Sequence, residues 1–109
     1  MNVRKTDAFL ADLGRQYEWY VSQAGWEIAD RYLNAVEAVC HLLSQHPTLG
    51  PLTQFSHPKL RTWRFLPALR PFGGHILFFE VLDGEVVLRR IMHGKRDLAH
   101  RLVEPPEET

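Results

Sequence analysis

HILFFEVLDGEVVLRRIMH, residues 75–93, is the stretch whose reading decides the fold. A strand-length apolar run, His75–Leu82, meets a second, Glu85–His93, across Asp83-Gly84. Asp-Gly is the strongest short hairpin signal, because both central residues of a type I′ turn take positive φ. A two-residue turn also fixes the register. It predicts Leu82 opposite Glu85, Val81 opposite Val86, Phe79 opposite Leu88, Leu77 opposite Arg90 and His75 opposite Met92. One face then carries Leu77, Phe79, Val81, Val86, Leu88 and Met92, with Arg90 and His75 towards its far end. The other mixes Ile76, Phe78, Val87 and Ile91 with Glu80, Glu85, Arg89 and His93. The first face is expected beneath helices and the second as an open working surface.

Upstream of the hairpin, Leu60–Leu66 alternates bulky and charged residues and reads as another strand, ended by Pro67. Pro67–Gly74 is a loop with two prolines and two glycines, and Pro47–Pro58 is a longer one. The first half of the chain has a helical period instead. Thr6 or Asp7 can cap a helix with apolar positions Leu10, Leu13, Tyr17, Tyr20 and Ala24. Gly25 interrupts as a glycine just past a helix end does. A second helix places Ala29, Tyr32, Leu33, Val36, Val39, Cys40 and Leu43 on one stripe and stops at His46-Pro47. Residues 2–5 precede this αα-hairpin as a short strand. The expectation is an α+β domain over residues 1–98: N-terminal strand, αα-hairpin, antiparallel three-stranded sheet. The tail, residues 99–109, is expected to hold one turn of helix.

The chain has 109 residues, 45% hydrophobic and 11% aromatic, with one cysteine, which suits one domain and excludes a disulfide framework. The N-terminus lacks the apolar core of a secretory signal and no run reaches membrane-spanning length, so a cytoplasmic address is expected. Thirteen Lys/Arg balance thirteen Asp/Glu, but unevenly. Residues 1–56 carry net −2, residues 57–101 net +5, and Glu104, Glu107 and Glu108 return the sum to zero. A basic second half points to an acidic partner, protein or nucleic acid.

Metal and phosphate chemistry find no support. His41 and His46 are five apart, on different helix faces, with no cysteine pair beside them. No helix and no Lys-Ser/Thr follow Gly73-Gly74 as a phosphate loop requires. Cys40, on the apolar stripe, reads as a small core residue. No cofactor is expected.

The ending Arg90-Ile-Met-His93-Gly94-Lys-Arg96-Asp97 resembles the R-V-x-H-G-x-R-D ending of the ParE/RelE superfamily, the toxins of bacterial type II toxin–antitoxin (plasmid stabilisation) modules. His46-Pro47-Thr-Leu-Gly50 is similar to that family's P-x-x-G step after the second helix. The order of elements along residues 1–97 matches its fold. The position before Ile76, where an aromatic is expected, holds His75. The resemblance implies a cognate antitoxin as partner and one of two biochemistries. ParE-like members bind and poison DNA gyrase; RelE-like members cleave mRNA on the ribosome, often with a tyrosine near the C-terminus. Tyr17, Tyr20 and Tyr32 all lie on the helices, which favours the ParE-like branch. A third reading is a non-toxic relative that only binds antitoxin.

For partner contact the candidates are Arg61, Trp63, Arg64, Arg70, Arg89, Arg90, Lys95 and Arg96, an aromatic among arginines being a usual interface composition. Helix-in-groove and strand-addition docking both suit them. For the nuclease alternative, Glu80 or His93 would move protons while Arg61 and Arg89 stabilise the phosphorane. Glu80 and His93, placed on one face, are separated by six strand positions, or roughly 20 Å. Pro47, Gly50, His93, Gly94 and Asp97 read as structural positions, Arg96-Asp97 as an ion pair pinning the strand end.

Overall fold

The computed structural model describes residues 1–94 and 98–106; Lys95, Arg96 and Asp97 therefore lie outside the described residues. Strand β1 (Asn2–Lys5) leads into helices α1 (Asp7–Ala24) and α2 (Trp26–Gln45). Strands β2 (Arg64–Pro67), β3 (His75–Leu82) and β4 (Glu85–His93) follow, then helix α3 (Leu98–Val103). Four strands form one mixed sheet in the order β1-β4-β3-β2, with β1 parallel to β4 and the other pairs antiparallel. The Asp83-Gly84 hairpin is thus central, and both turn residues take positive φ, 50° and 78°. The α+β expectation holds, the N-terminal strand completing the sheet.

Helix ends form where the residues demand. Thr6 Oγ1 accepts the Phe9 N–H at 3.2 Å and caps α1. Gly25, at φ 90°, separates the helices, a conformation that costs a residue without a Cβ little. At the other end of α2 the His46 N–H closes on Leu42 O. The two helices cover one sheet face. Phe9, Tyr32, Val36, Val39 and Leu43 bury against Leu77, Phe79, Val86, Leu88 and Ile91. Each fully buried large side chain of this kind contributes about 1.5–3 kcal/mol, so this is the dominant core.

The hairpin register departs from strict pairing in its outer half. It runs as expected from Leu82↔Glu85 to Phe79↔Leu88, then shifts between Phe78 and Phe79. Beyond the shift Phe78 faces Arg90, Leu77 faces Ile91, Ile76 faces Met92 and His75 faces His93. One extra residue on β4, a β-bulge, exchanges the faces of all that follows it. Ile91, not Met92, joins the helix-facing core, and His93 joins His75 on that side, ring centroids 4.6 Å apart.

The opposite face is not an open surface. Leu60, Trp63, Phe78, Met92 and Leu102 form a second buried cluster on it, with α3 as part of its cover. Residues 98–103 therefore pack into the domain rather than trail from it. The strand expected from Leu60 begins only at Arg64, because Pro58–Leu60 is a 3-10 turn. The His57 ring caps it by accepting the Lys59 N–H at 3.1 Å. Thr53 Oγ1 then donates to Leu60 O at 2.9 Å, which anchors the long loop to the turn.

Of the apolar stripe expected on α1, Leu13 and Tyr20 pack half-buried against the core, but the buried positions are others. The buried residues of the helix are Phe9, Asp12 and Gln16, while Leu10 is exposed. The reason is the shortness of β1, which pairs with β4 only as far as Leu88. Past that point the edge of β4 has no strand neighbour, and buried backbone groups must be paired. Thr6 Oγ1 donates to Leu88 O at 2.8 Å, Asp12 Oδ2 accepts the Ile91 N–H at 3.2 Å, and Gln16 Nε2 donates to Ile91 O at 2.8 Å. Polar side chains of a helix stand in for the missing strand.

Candidate interaction surface

Three of the arginines expected at a partner surface surround β2. Arg61 precedes it, Arg64 begins it, and Arg70 follows it in the loop to β3. Arg61 and Arg70 are exposed; Arg64 is half-buried, and its Nη1 donates to Gly50 O at 2.9 Å. Leu49, Leu52 and Leu69 are exposed beside them, each with between 45% and 49% of its surface in water. Leu52 pairs with Arg64 as an isolated antiparallel bridge. Arg70 also meets Arg31 of α2 across a shallow cleft floored by Ala35 and Phe72. Guanidinium groups alternating with uncovered leucines are what an acidic, apolar-dotted segment requires.

The outer edge of β2 is already occupied. The Thr53 N–H donates to Trp63 O at 2.8 Å and the Phe65 N–H to Pro51 O at 3.1 Å. Gly50 makes this approach close: a Cβ there would stand 2.5 Å from Phe65 O and 2.8 Å from Phe79 Cζ. Pro47 enters the same loop directly after α2.

The remaining candidates lie elsewhere. Trp63 is 9% exposed and belongs to the second core cluster, since the 3-10 turn rotates it inward. Arg90 is buried at the bulge, not displayed. Its Nε and Nη2 donate to Asp12 at 2.7 and 2.9 Å, and its Nη1 donates to the carbonyls of Arg101 and Glu104 at the end of α3. Arg89, the bulge's extra residue, donates from Nε to Glu80 Oε1 at 2.9 Å.

Glu80 is 8% exposed, and its second oxygen accepts from Thr62 Oγ1 at 2.9 Å. The structure thus unites Glu80 and Arg89 but leaves His93 out. His93 lies on the helix-facing side against His75, so Glu80 and His93 do not share a face as expected. Five strand positions also separate them, roughly 17 Å at the usual rise. The hydroxyls of all three tyrosines are engaged within the fold: Tyr17 with Asp30, Tyr20 with His75, and Tyr32 with Gln16. Gly94 closes the strand end, its N–H reaching Gly74 O at 3.3 Å.

Asp12 and Gln16 were not among the sequence candidates, although they follow Phe9 at helical spacing and end up completing β4. Among the described residues no group of three or more His, Cys, Asp or Glu could hold a metal. No described helix is long and apolar enough to cross a membrane. Cys40 is buried, and burial pushes its thiol up to about 11, so it stays protonated.

Three likenesses to known proteins accompany this geometry. Residues 3–98 match the sequence model of a family described as "ParE toxin of type II toxin-antitoxin system, parDE". The chain is 34% identical over 100 residues to Toxin ParE3 of Caulobacter vibrioides, covering 92% of this chain and 93% of that protein. Its fold is similar to a chain of the chromosomal ParDE TA system from P. aeruginosa, with a TM-score of 0.71 and 24% identity. That match covers 87% of this chain and 97% of the other.

Proposed function

This chain belongs to the ParE toxin family of type II toxin–antitoxin systems, and from that premise we propose that it poisons DNA gyrase by binding it and is held inactive by a cognate antitoxin. The observation that carries a binding rather than a catalytic mode is that Glu80 and Arg89 are engaged within the fold while His93 lies out of their reach. Both Glu80 oxygens are bound within the fold, by Thr62 and Arg89. His93 stands on the other side of the sheet, and the three tyrosine hydroxyls all have internal partners. Acid–base catalysis needs its groups within hydrogen-bond reach of one reacting atom.

The antitoxin would meet the surface around β2, where Arg61, Arg64 and Arg70 stand among exposed Leu49, Leu52 and Leu69. Its docking segment is acidic with apolar anchors. It lies alongside β2 rather than adding a strand there, because Pro51–Thr53 already take the edge groups of Trp63 and Phe65. The site of action is the cytoplasm, where gyrase works.

The test compares purified protein in two assays, gyrase supercoiling and mRNA cleavage on translating ribosomes. Loss of supercoiling, relieved by the antitoxin, is expected. Ribosome-dependent cleavage abolished by Arg89→Ala or His93→Ala, with supercoiling untouched, would establish the RelE-like alternative instead. Normal growth on induced, soluble expression without antitoxin would identify a non-toxic antitoxin-binding relative.

A further inference from the structure

A cavity of about 480 Å³ opens between the second half of α1 and the far end of the β3–β4 hairpin. It is lined by Arg15, Gln16, Glu18, Trp19, Tyr20, His75 and His93, and most of that lining is apolar. Its size falls within the range of small-molecule sites, about 300–1,000 Å³. None of these residues belongs to the surface around β2.

Two side-chain polar atoms, Arg15 Nε and His75 Nδ1, are sealed from solvent without a partner among the described residues in the wall of this cavity. Buried donors without acceptors are uncommon, each costing about 1–3 kcal/mol. His75 is 4% exposed, and its Nε2 lies 2.8 Å from the Tyr20 hydroxyl. Burial and the neighbouring His93 hold its pKa down to about 4, so the ring is neutral in ordinary buffers. When the phenol donates to Nε2, the ring proton sits on Nδ1, a donor without an acceptor.

Arg15 has charge to spare. Its Nη2 is 3.8 Å from Asp12 Oδ1, but the Asp12 oxygens already accept from Arg90 and from the Ile91 N–H. Beside it Trp19 is 58% exposed, a large indole left in water, with Tyr20 edge-on at 5.2 Å. A flat ring laid on Trp19 would cover that surface and gain an aromatic contact. Glu18 in the same wall disfavours a doubly charged guest such as phosphate.

We propose that this cavity binds a small aromatic monocarboxylate, its ring against Trp19 and its carboxylate accepting from the outer nitrogens of the Arg15 guanidinium. The site is independent of the gyrase and antitoxin reading, because it uses other residues and needs no partner protein.

The test titrates the full chain with phenylacetate at neutral pH, followed by amide and indole nuclear magnetic resonance shifts. Benzyl alcohol and inorganic phosphate serve as comparison probes. Saturable shifts confined to residues 15–20, 75 and 93 and to the Trp19 indole are expected with phenylacetate. Binding of benzyl alcohol should be weaker by at least about tenfold, the low end for losing a charge-assisted hydrogen bond. Arg15→Gln should weaken phenylacetate comparably, and Trp19→Leu, at an exposed position, should do so without altering the melting temperature. Absence of saturable shifts at these residues would overturn the proposal. Equal binding of phenylacetate and benzyl alcohol, equal binding of phosphate, or unchanged phenylacetate affinity in both variants would do the same.

Discussion

Asp12 and Arg90, 78 positions apart in sequence, form a bidentate ion pair with side chains 0% and 6% exposed. The pair joins α1 to the bulge of β4, and Arg90 passes the connection on to the carbonyls that end α3. Asp12 simultaneously accepts the Ile91 N–H. Removing the carboxylate leaves a buried guanidinium and a buried backbone donor unpaired together. Asp12→Ala should therefore destabilise the fold by about 3–5 kcal/mol in urea unfolding. The double variant Asp12→Leu/Arg90→Met should lose clearly less than the two single losses added. Additive losses would mean that the pair is not coupled.

Two glycines should respond in opposite directions to alanine. A Cβ on Gly50 would meet Phe65 O at 2.5 Å and the Phe79 ring at 2.8 Å, so Gly50→Ala should destabilise by about 1–3 kcal/mol. Gly14 lies inside α1 with nothing within 4 Å of such an atom. Gly14→Ala should stabilise by about 0.5–1 kcal/mol, the helix-propensity difference. Thermal unfolding of the two variants against the parent decides both.

Local rules made most of the fold legible. Asp83-Gly84 announced the hairpin, Thr6 the start of α1, and Gly25 and His46-Pro47 the bounds of α2. The bulge is less direct, because strict alternation reads straight through Arg89-Arg90. Its signal was there: unbroken alternation sets Arg90 opposite Leu77 on the helix-facing side. One extra residue at that point removes the conflict and returns Ile91 to the core. Trp63 and Arg90 are buried against expectation for a related reason. Their burial depends on a 3-10 turn and on the edge of β4, both set by contacts distant in the chain. Arg61 and Arg70, flanked by loops rather than core strands, stay exposed.

Stability should fall on mild acidification through His75. Burial, and secondly His93, lower its pKa in the folded state to about 4, against 6.5 for the free group. Between those values the unfolded chain binds the proton that the folded one does not. The stabilisation is thus complete above about pH 6.5 and is lost as the pH falls towards 4, up to about 3 kcal/mol in all. The groups facing the ring are Tyr20, Tyr32 and His93. Urea unfolding of His75→Gln across this window should show a flatter dependence on pH than the parent, whatever its absolute stability. An unaltered slope would assign the acid sensitivity to other groups.

The arginines around β2 should govern association with the antitoxin, and salt should reveal how. Arg61 and Arg70 are exposed, so reversing them should leave the fold intact while inverting the local field. Arg64 also donates to Gly50 O and would disturb the loop, which makes it the poorer probe. For Arg61→Glu/Arg70→Glu, the association rate should fall about tenfold or more at low ionic strength. The difference should shrink as salt approaches about 1 M, where screening reaches only about 3 Å. Leu52→Ala and Leu69→Ala should instead raise the dissociation rate with little dependence on salt, because apolar anchors act after encounter. Arg90→Ala is the informative contrast: it should lower stability through the Asp12 pair, and any loss of antitoxin binding should follow from unfolding. If the Arg61/Arg70 reversal bound at the parental rate at low salt, while stably folded variants of the opposite sheet edge did not, the antitoxin would dock elsewhere.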